Sequence, residues 1–369
     1  MKRTALALCF SALLWSCSDD KGTNDPPDKP DSTWTPVESY SLSTPGADYV
    51  LLESPYLYAS GRGGSLFIFD ISNADTIRLI GSHAAENTST KTPAGYGGRA
   101  LAKRGSLLYA CFYGAANGSS VVEVFDVVNP ANPNPVGLLQ SPWNNSQIWG
   151  DYWEFTGICI TGDTLLAQTS GFAFLYRISG PNSFLPLDTV RKDVVEPTCQ
   201  TGGISLWDFG AGHFYAYGSC TQTGQNGLLW TLSRGNMQVT GRLDMSVNPG
   251  LYSPLMRLND NRVYLWETGG GNKMAEVDVS NPASPALIRS QQLFSGFPLL
   301  GGTTFSLTNM TAAGSAFVFL GRYSGGVLLC DDQFNLLRAD KGAYSADAVY
   351  SAGRVYVCGP NGVSAYVIP

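Results

Sequence analysis

Between Thr35 and Pro369 one phrase recurs about seven times. Each copy holds a short apolar run, a tight turn, an aromatic-rich run, a Gly-rich loop, another apolar run and an Asp/Asn/Pro turn. It reads most clearly in residues 56–81: Leu57-Tyr58-Ala59, Gly61-Arg62-Gly63-Gly64, Leu66-Phe67-Ile68-Phe69-Asp70, Ser72-Asn73-Ala74-Asp75. It returns in residues 107–137 and 262–288. A period of roughly 50 residues with four short strands per copy is the signature of a β-propeller. Such a chain must bury each copy against its neighbours, because one copy alone has no closed core.

The strand after each tight turn is the easiest to align: Leu57-Tyr58, Leu108-Tyr109, Leu165-Leu166, Phe214-Tyr215, Val263-Tyr264, Phe317-Val318 and Val355-Tyr356. That makes seven copies. The last stops at residues 363–369, which match a third strand, and residues 37–42 fit the missing edge. The expected fold is all-β: a seven-bladed propeller of four-stranded antiparallel blades over 35–369. The N-terminal strand at about 37–42 pairs with the last blade and closes the ring, leaving no long unpaired edge. Only 14% of the 369 residues are charged, against about 25% in ordinary domains. The 42 glycines fit a turn-rich sheet protein. A formal charge of −6 with no basic stripe argues against a nucleic-acid partner.

Lys2-Arg3 and the apolar run 4–15 have the form of a secretory signal, too short to span a bilayer. Its end, Leu14-Trp15-Ser16-Cys17, resembles the bacterial lipoprotein cleavage box, with Trp15 standing where a small residue is usual. The resemblance implies a signal peptide over 1–16, cleavage before Cys17, acylation of that residue and so a membrane partner through the lipid. The alternative is an ordinary secreted protein in which Cys17 is incidental. Residues 18–32 form a Pro/Asp/Lys tract almost without apolar side chains, so 17–34 reads as a lipidated Cys and a disordered tether. Ser18-Asp19-Asp20 resembles the acidic export tag of surface lipoproteins in some Gram-negative bacteria. That implies the outer membrane, either surface-exposed or facing the periplasm.

The turns after the third strands, Asp126–Pro135 and Asp278–Pro285, resemble those of the LVIVD-repeat propeller family. The resemblance covers nearly the whole mature chain, and blades one, two and five carry the wording. Blades three and four have Tyr176-Arg177-Ile178-Ser179-Gly180 and Thr231-Leu232-Ser233-Arg234-Gly235 in its place. It implies architecture and a bacterial surface or secreted setting, and it brings no catalytic residues.

Of eight cysteines, Cys9 falls in the signal and Cys17 at the lipid site. Cys199 and Cys220 flank a hairpin, 204–209 and 213–218 folded about Gly210, which sets them opposite each other as candidates for a disulfide. Cys111, Cys159, Cys330 and Cys358 fall in strands and read as small buried fillers. No Cys/His grouping suits a metal, and the two histidines, His83 in a loop and His213 in a turn between first and second strands, lie on opposite faces. No cofactor is expected.

Loop lengths divide the ring. Turns between first and second strands are tight, whereas those from second to third strand and from blade to blade are long, and in a propeller the long ones share the face around the channel mouth. Long loops on a rigid scaffold are where binding resides. Residues 141–155 stand out, with Trp143, Trp149, Tyr152 and Trp153 among Asn144, Asn145, Gln147 and Asp151. Aromatics mixed with amides suit sugar rings and peptide side chains alike, and they equally suit a satellite core that folds over blades two and three. The first residues of the channel-lining strands, Asp48, Arg99, Thr156, Ser205, Pro254, Thr308 and Asp347, should ring the mouth. Asp48 and Asp347 flank the seam, where they either bind a ligand amine or cation or cap strand ends. The chain has no nucleophile elbow, phosphate loop or haem motif. The expected function is a non-catalytic envelope binding or scaffold lipoprotein that recognises an extracellular glycan. The alternatives are a periplasm-facing scaffold for an envelope protein complex and, less favoured, a hydrolase using the channel-mouth carboxylates.

Overall fold

The computed structural model describes residues 34–42, 46–61, 64–73, 75–84, 98–114, 119–140, 155, 157–169, 172–191, 204–210, 212–220, 225–234, 236–245, 255–266, 273–293, 306–322, 326–340 and 345–369. Its strands make seven four-stranded antiparallel sheets. The chain starts with β1 (Glu38–Ser41) and then builds blade 1 from β2 (Ala47–Glu53), β3 (Tyr56–Gly61), β4 (Ser65–Asp70) and β5 (Arg78–Ala84). Blade 2 holds β6 (Gly98–Arg104), β7 (Leu107–Gly114), β8 (Ser119–Asp126) and β9 (Asn134–Gln140). Blade 3 holds β10 (Gly157–Thr161), β11 (Thr164–Gln168), β12 (Phe172–Gly180) and β13 (Ser183–Arg191). Blade 4 holds β14 (Ile204–Gly210), β15 (His213–Cys220), β16 (Gln225–Ser233) and β17 (Val239–Asp244). Blade 5 holds β18 (Leu255–Asn259), β19 (Arg262–Trp266), β20 (Lys273–Asp278) and β21 (Ala286–Gln292). Blade 6 holds β22 (Ser306–Ala313), β23 (Ala316–Arg322), β24 (Gly326–Cys330) and β25 (Leu336–Asp340). Blade 7 has β26 (Asp347–Ser351), β27 (Arg354–Gly359) and β28 (Gly362–Val367), with β1 as its outer strand.

The closure expected from the sequence is present. β1 pairs antiparallel with β28, Glu38 opposite Ala365 and Ser41 opposite Gly362. Bonds from Val37 N to Ala365 O (2.8 Å) and Leu42 N to Asn361 O (3.2 Å) extend the ladder at both ends. The first strands contact one another around the ring in the order β2, β6, β10, β14, β18, β22, β26 and back to β2.

Strand alternation explains the core. In β3, Leu57 and Ala59 pack toward blade 7 while Tyr58 packs toward blade 2. Repeated round the wheel, this gives seven apolar clusters, one at each junction of neighbouring blades. Sheet-face packing of this kind needs apolar residues on both faces of the inner strands, which is why those runs lack simple alternation.

The repeated Asp/Asn wording also has a local cause. In blades 1, 2 and 5 the Asp ending the third strand accepts a bond from the amide two residues on: Ser72 to Asp70 (2.9 Å), Val128 to Asp126 (3.0 Å) and Ser280 to Asp278 (2.8 Å). The following Asn repeats the pattern, with Asp75, Ala131 and Ala283 donating to Asn73, Asn129 and Asn281. These tandem side-chain turns replace backbone bonds that the ladder no longer supplies. The next amide, of Ile71, Val127 or Val279, reaches the neighbouring tight turn at Pro55, Ser106 or Asn261. Both kinds of turn are thereby tied into one rim.

The wheel is closed outside by close approach. Gly81, Gly137 and Gly241 lie opposite Ile68, Val124 and Thr231. A Cβ on any of them would collide with a backbone carbonyl of the next blade's turn, at Pro130, Pro181 and Pro282 respectively.

Candidate functional site: a cleft between blades 5 and 6

The structure separates the sequence-predicted site residues. Trp143, Trp149, Tyr152 and Trp153 lie outside the described residues, as do Cys17 and Cys199. Of Cys220 only the backbone is described, paired with Gln225, so the disulfide is not addressed. The hairpin between them is present, as β14 and β15.

At the channel mouth, Asp48, Arg99, Ser205 and Thr308 each fall at a register shift in the first strand of a blade. A bulge there leaves one residue out of the ladder, and it recurs in blades 1, 2, 4 and 6. Asp347 sits one place further along. It pairs with Cys358, the position that in blade 1 is Ser60, partner of Tyr49. Its carboxylate is buried and tied into the seam. Oδ1 accepts from Asn309 Nδ2 of blade 6 (2.7 Å) and from Ala348 N (2.8 Å), while Oδ2 accepts from Val50 N of blade 1 (3.1 Å). One side chain thus bonds three consecutive blades. These bonds tie the first strands of blades 6, 7 and 1 to one another. His83 lies in β5 and not in a loop, its ring 5.3 Å from that of Phe125 and edge-on. It falls there because the fourth strand of blade 1 runs on to Ala84.

Residues on the opposite rim, of tight turns, form a site the sequence reading did not single out. A cleft of about 670 Å³ opens between blades 5 and 6. At its wall lies Glu276, whose side chain is 1% exposed. Arg262 donates to its Oε1, Arg289 Nε donates to Oε2 at 2.6 Å, and Tyr264 Oη donates to Oε1 at 3.4 Å. Burial raises the Tyr264 phenol pKa, and the Glu276 charge raises it further. Bonding to Glu276 likewise raises that of Arg262. Arg289 is fully engaged: Nη2 donates to Asp332 O (2.6 Å), Nη1 to Gln333 Oε1 (3.4 Å), and its guanidinium lies 4.0 Å over the Phe334 ring. Removing either arginine leaves buried charge less compensated, a change that typically costs about 3–5 kcal/mol.

Three departures from the repeat converge here. In register order, the place of Glu276 is held elsewhere by Ile68, Val124, Leu175, Thr231, Leu329 and Ala365. Arg289 stands opposite it, where blades 1, 2 and 4 have their close-packed Gly. The turn of blade 6 that should meet such a Gly reads Asp331-Asp332-Gln333-Phe334 in place of Asn-Pro-Ala. A long cation replaces the Gly-to-carbonyl contact, and the rim opens into a cleft.

The topology defines a seven-bladed β-propeller. The LVIVD repeat model matches residues 47–84, which are blade 1 from end to end, and 269–292, the third and fourth strands of blade 5. The chain therefore carries LVIVD repeats, and the cleft lies beside one of them. Similar solved structures include the β-propeller domain of Cps50 (Swd1) from Myceliophteria thermophila: 10% identity, TM-score 0.63, over 89% of this chain and 98% of that one. The WD40 β-propeller domain of Doa1 is 9% identical, with TM-score 0.55, over 89% and 95%. The computationally designed Ika8 protein is 12% identical, with TM-score 0.53, over 90% and 99%. At such identities the likeness is one of fold alone. No curated protein matches the chain.

Proposed function

We propose that the chain is a non-catalytic binding module of the cell envelope, held to the outer membrane by a lipid at Cys17 and recognising a glycan through its long-loop face. The observation that carries this reading is the place of Trp34. In the other blades a turn joins the third strand to the fourth, on the rim of tight turns. Blade 7 takes those two strands from opposite ends of the chain, and Trp34 fills the gap, bonding from N to Ala339 O of blade 6 (2.9 Å) and from Nε1 to Val367 O (3.2 Å). A tether arriving at Trp34 joins the rim of tight turns, across the ring from the ends of the strands that lead into the long loops. Loops held outward on a rigid ring suit recognition. The engagement of Asp347 with three blades supports a binding role over a hydrolase, because a carboxylate so bonded is poorly placed for acid–base work.

Protease shaving of intact cells should remove the ring, and a glycan array should show binding that the Trp149→Ala/Trp153→Ala pair loses. Protection of the ring in intact cells, with a stoichiometric envelope protein recovered after crosslinking, would favour the scaffold reading. Array binding unchanged in the double variant would remove the glycan reading.

A further inference from the structure

We infer that the cleft between blades 5 and 6 is a second binding site, for a small zwitterion carrying a free ammonium and a free carboxylate, such as a short unblocked peptide. It stands on the opposite rim from the loops discussed above and does not depend on them. The charges supply the case. Within the buried triad Glu276 is flanked by two arginines, so one positive charge remains. Both guanidiniums keep their charge, but Arg289 has a bond on every nitrogen and is 23% exposed, so Arg262 is the one that can meet a ligand. Its side chain is 55% exposed, and only Nη1 of its fork is taken by Glu276. A guanidinium edge turned to a cleft is a carboxylate receptor.

Two carboxylates answer it. Asp260, on the tight turn of blade 5, and Asp332, on the facing turn of blade 6, both line the cleft and are exposed. Neither makes an ion pair among the described residues. They suit an ammonium, and they disfavour a ligand that is only an anion. Apolar surface completes the site. Ile288, the extra residue at the bulge between Glu276 and Val277, is 46% exposed, and Phe317 packs edge-on at 5.2 Å against Tyr264. A volume of about 670 Å³ falls within the range of small-ligand pockets, about 300–1,000 Å³.

The test is calorimetric titration of the full chain in detergent with the dipeptide Ala-Leu, its N-acetylated form, its C-amidated form and the doubly blocked form. Ala-Leu should bind at one site. Each single block should weaken binding by about tenfold or more, the scale of one lost charged contact, and the doubly blocked peptide should not bind. Arg262→Met should erase the difference between free and amidated peptide. Asp260→Asn with Asp332→Asn should erase that between free and acetylated peptide. Ser315→Trp fills the cleft from an exposed turn without touching the ion triad, so it should abolish binding at unchanged melting temperature and covers the case in which Arg262→Met fails to fold. No heat from Ala-Leu at millimolar concentration, equal binding of the blocked peptides, or undiminished binding by Ser315→Trp overturns the site.

Discussion

Truncating Trp34 tests the ring closure most directly. The indole is 3% exposed in the cluster between blades 6 and 7. It packs at a tilt against Tyr366 with centroids 4.8 Å apart and donates from Nε1 to Val367 O at 3.2 Å. Trp34→Ala keeps the backbone bond to Ala339 and removes the rest. Loss of a buried large aromatic costs about 3–5 kcal/mol, of which the hydrogen bond is roughly 1 kcal/mol. A ring of this size unfolds with an entropy of about 0.7 kcal/mol per kelvin, so the melting temperature should fall by about 4–7 °C. Trp34→Phe keeps the ring contact and loses the N–H, so its fall should be about 1–3 °C. Calorimetry measures both, and limited proteolysis reads whether cleavage begins near residues 37–42, as it should if β1 is the strand released. An alanine variant that melts within about 1 °C of the parent would refute the account, since no ring closed through that contact could be so indifferent to it.

Four further outcomes are expected. Gly137→Ala places a methyl against the Pro181 carbonyl and should cost about 1–3 kcal/mol in urea unfolding. Asp347→Asn keeps one acceptor oxygen for three donors, so stranding an amide should lower stability by about 1–3 kcal/mol by the same measurement. Cys111, Cys330 and Cys358 are buried thiols, and burial pushes the Cys330 and Cys358 thiols up; mass spectrometry after iodoacetamide should find all three modified only in denaturant. The Asp70 carboxyl is lowered to about 2 by bonds from the Ser72 hydroxyl and amide and from Arg78. Its stabilising effect is therefore present above the unfolded value near 4 and lost as pH falls toward 2, and Asp70→Asn should flatten urea midpoints across that interval.

The repeat made the architecture legible. An aromatic or branched pair after each tight turn marks the second strands, and the stop at a third strand demanded an N-terminal partner. Both follow from periodicity, which backbone geometry enforces. The bulges at Asp48 and Arg99 were not legible, because register shifts depend on the partner strand. Asp347 was placed one position early in its strand for the same reason. Glu276, Arg262 and Arg289 were missed because each is unremarkable as a residue. Only register makes Glu276 and Arg289 informative, by setting them opposite one another where blades 1, 2 and 4 pair Ile68, Val124 and Thr231 with Gly, and register is a property of the folded sheet. His83 was assigned to the loop that follows it, yet the ladder with β4 continues to Ala84.

A wheel of seven similar blades could close with its ends anywhere, and the place of the join divides its surfaces. Here the outer strand of blade 7 is N-terminal and the three inner ones are C-terminal. That arrangement puts Trp34 and the end of β28 on the rim of tight turns, where the Ile368 amide bonds Gly353 O (2.9 Å) as Ile71, Val127 and Val279 bond their own neighbouring turns. Neither strand end intrudes on the face of long loops. The same rim holds the junction of blades 5 and 6, where Arg289 stands in the place of the close-packed Gly of blades 1, 2 and 4 and a cleft opens. A join between second and third strands, or between blades, would have put the chain ends on the long-loop face. The rim of tight turns therefore does two things at once: its turns tie the blades together, and between blades 5 and 6 it opens a charged cleft.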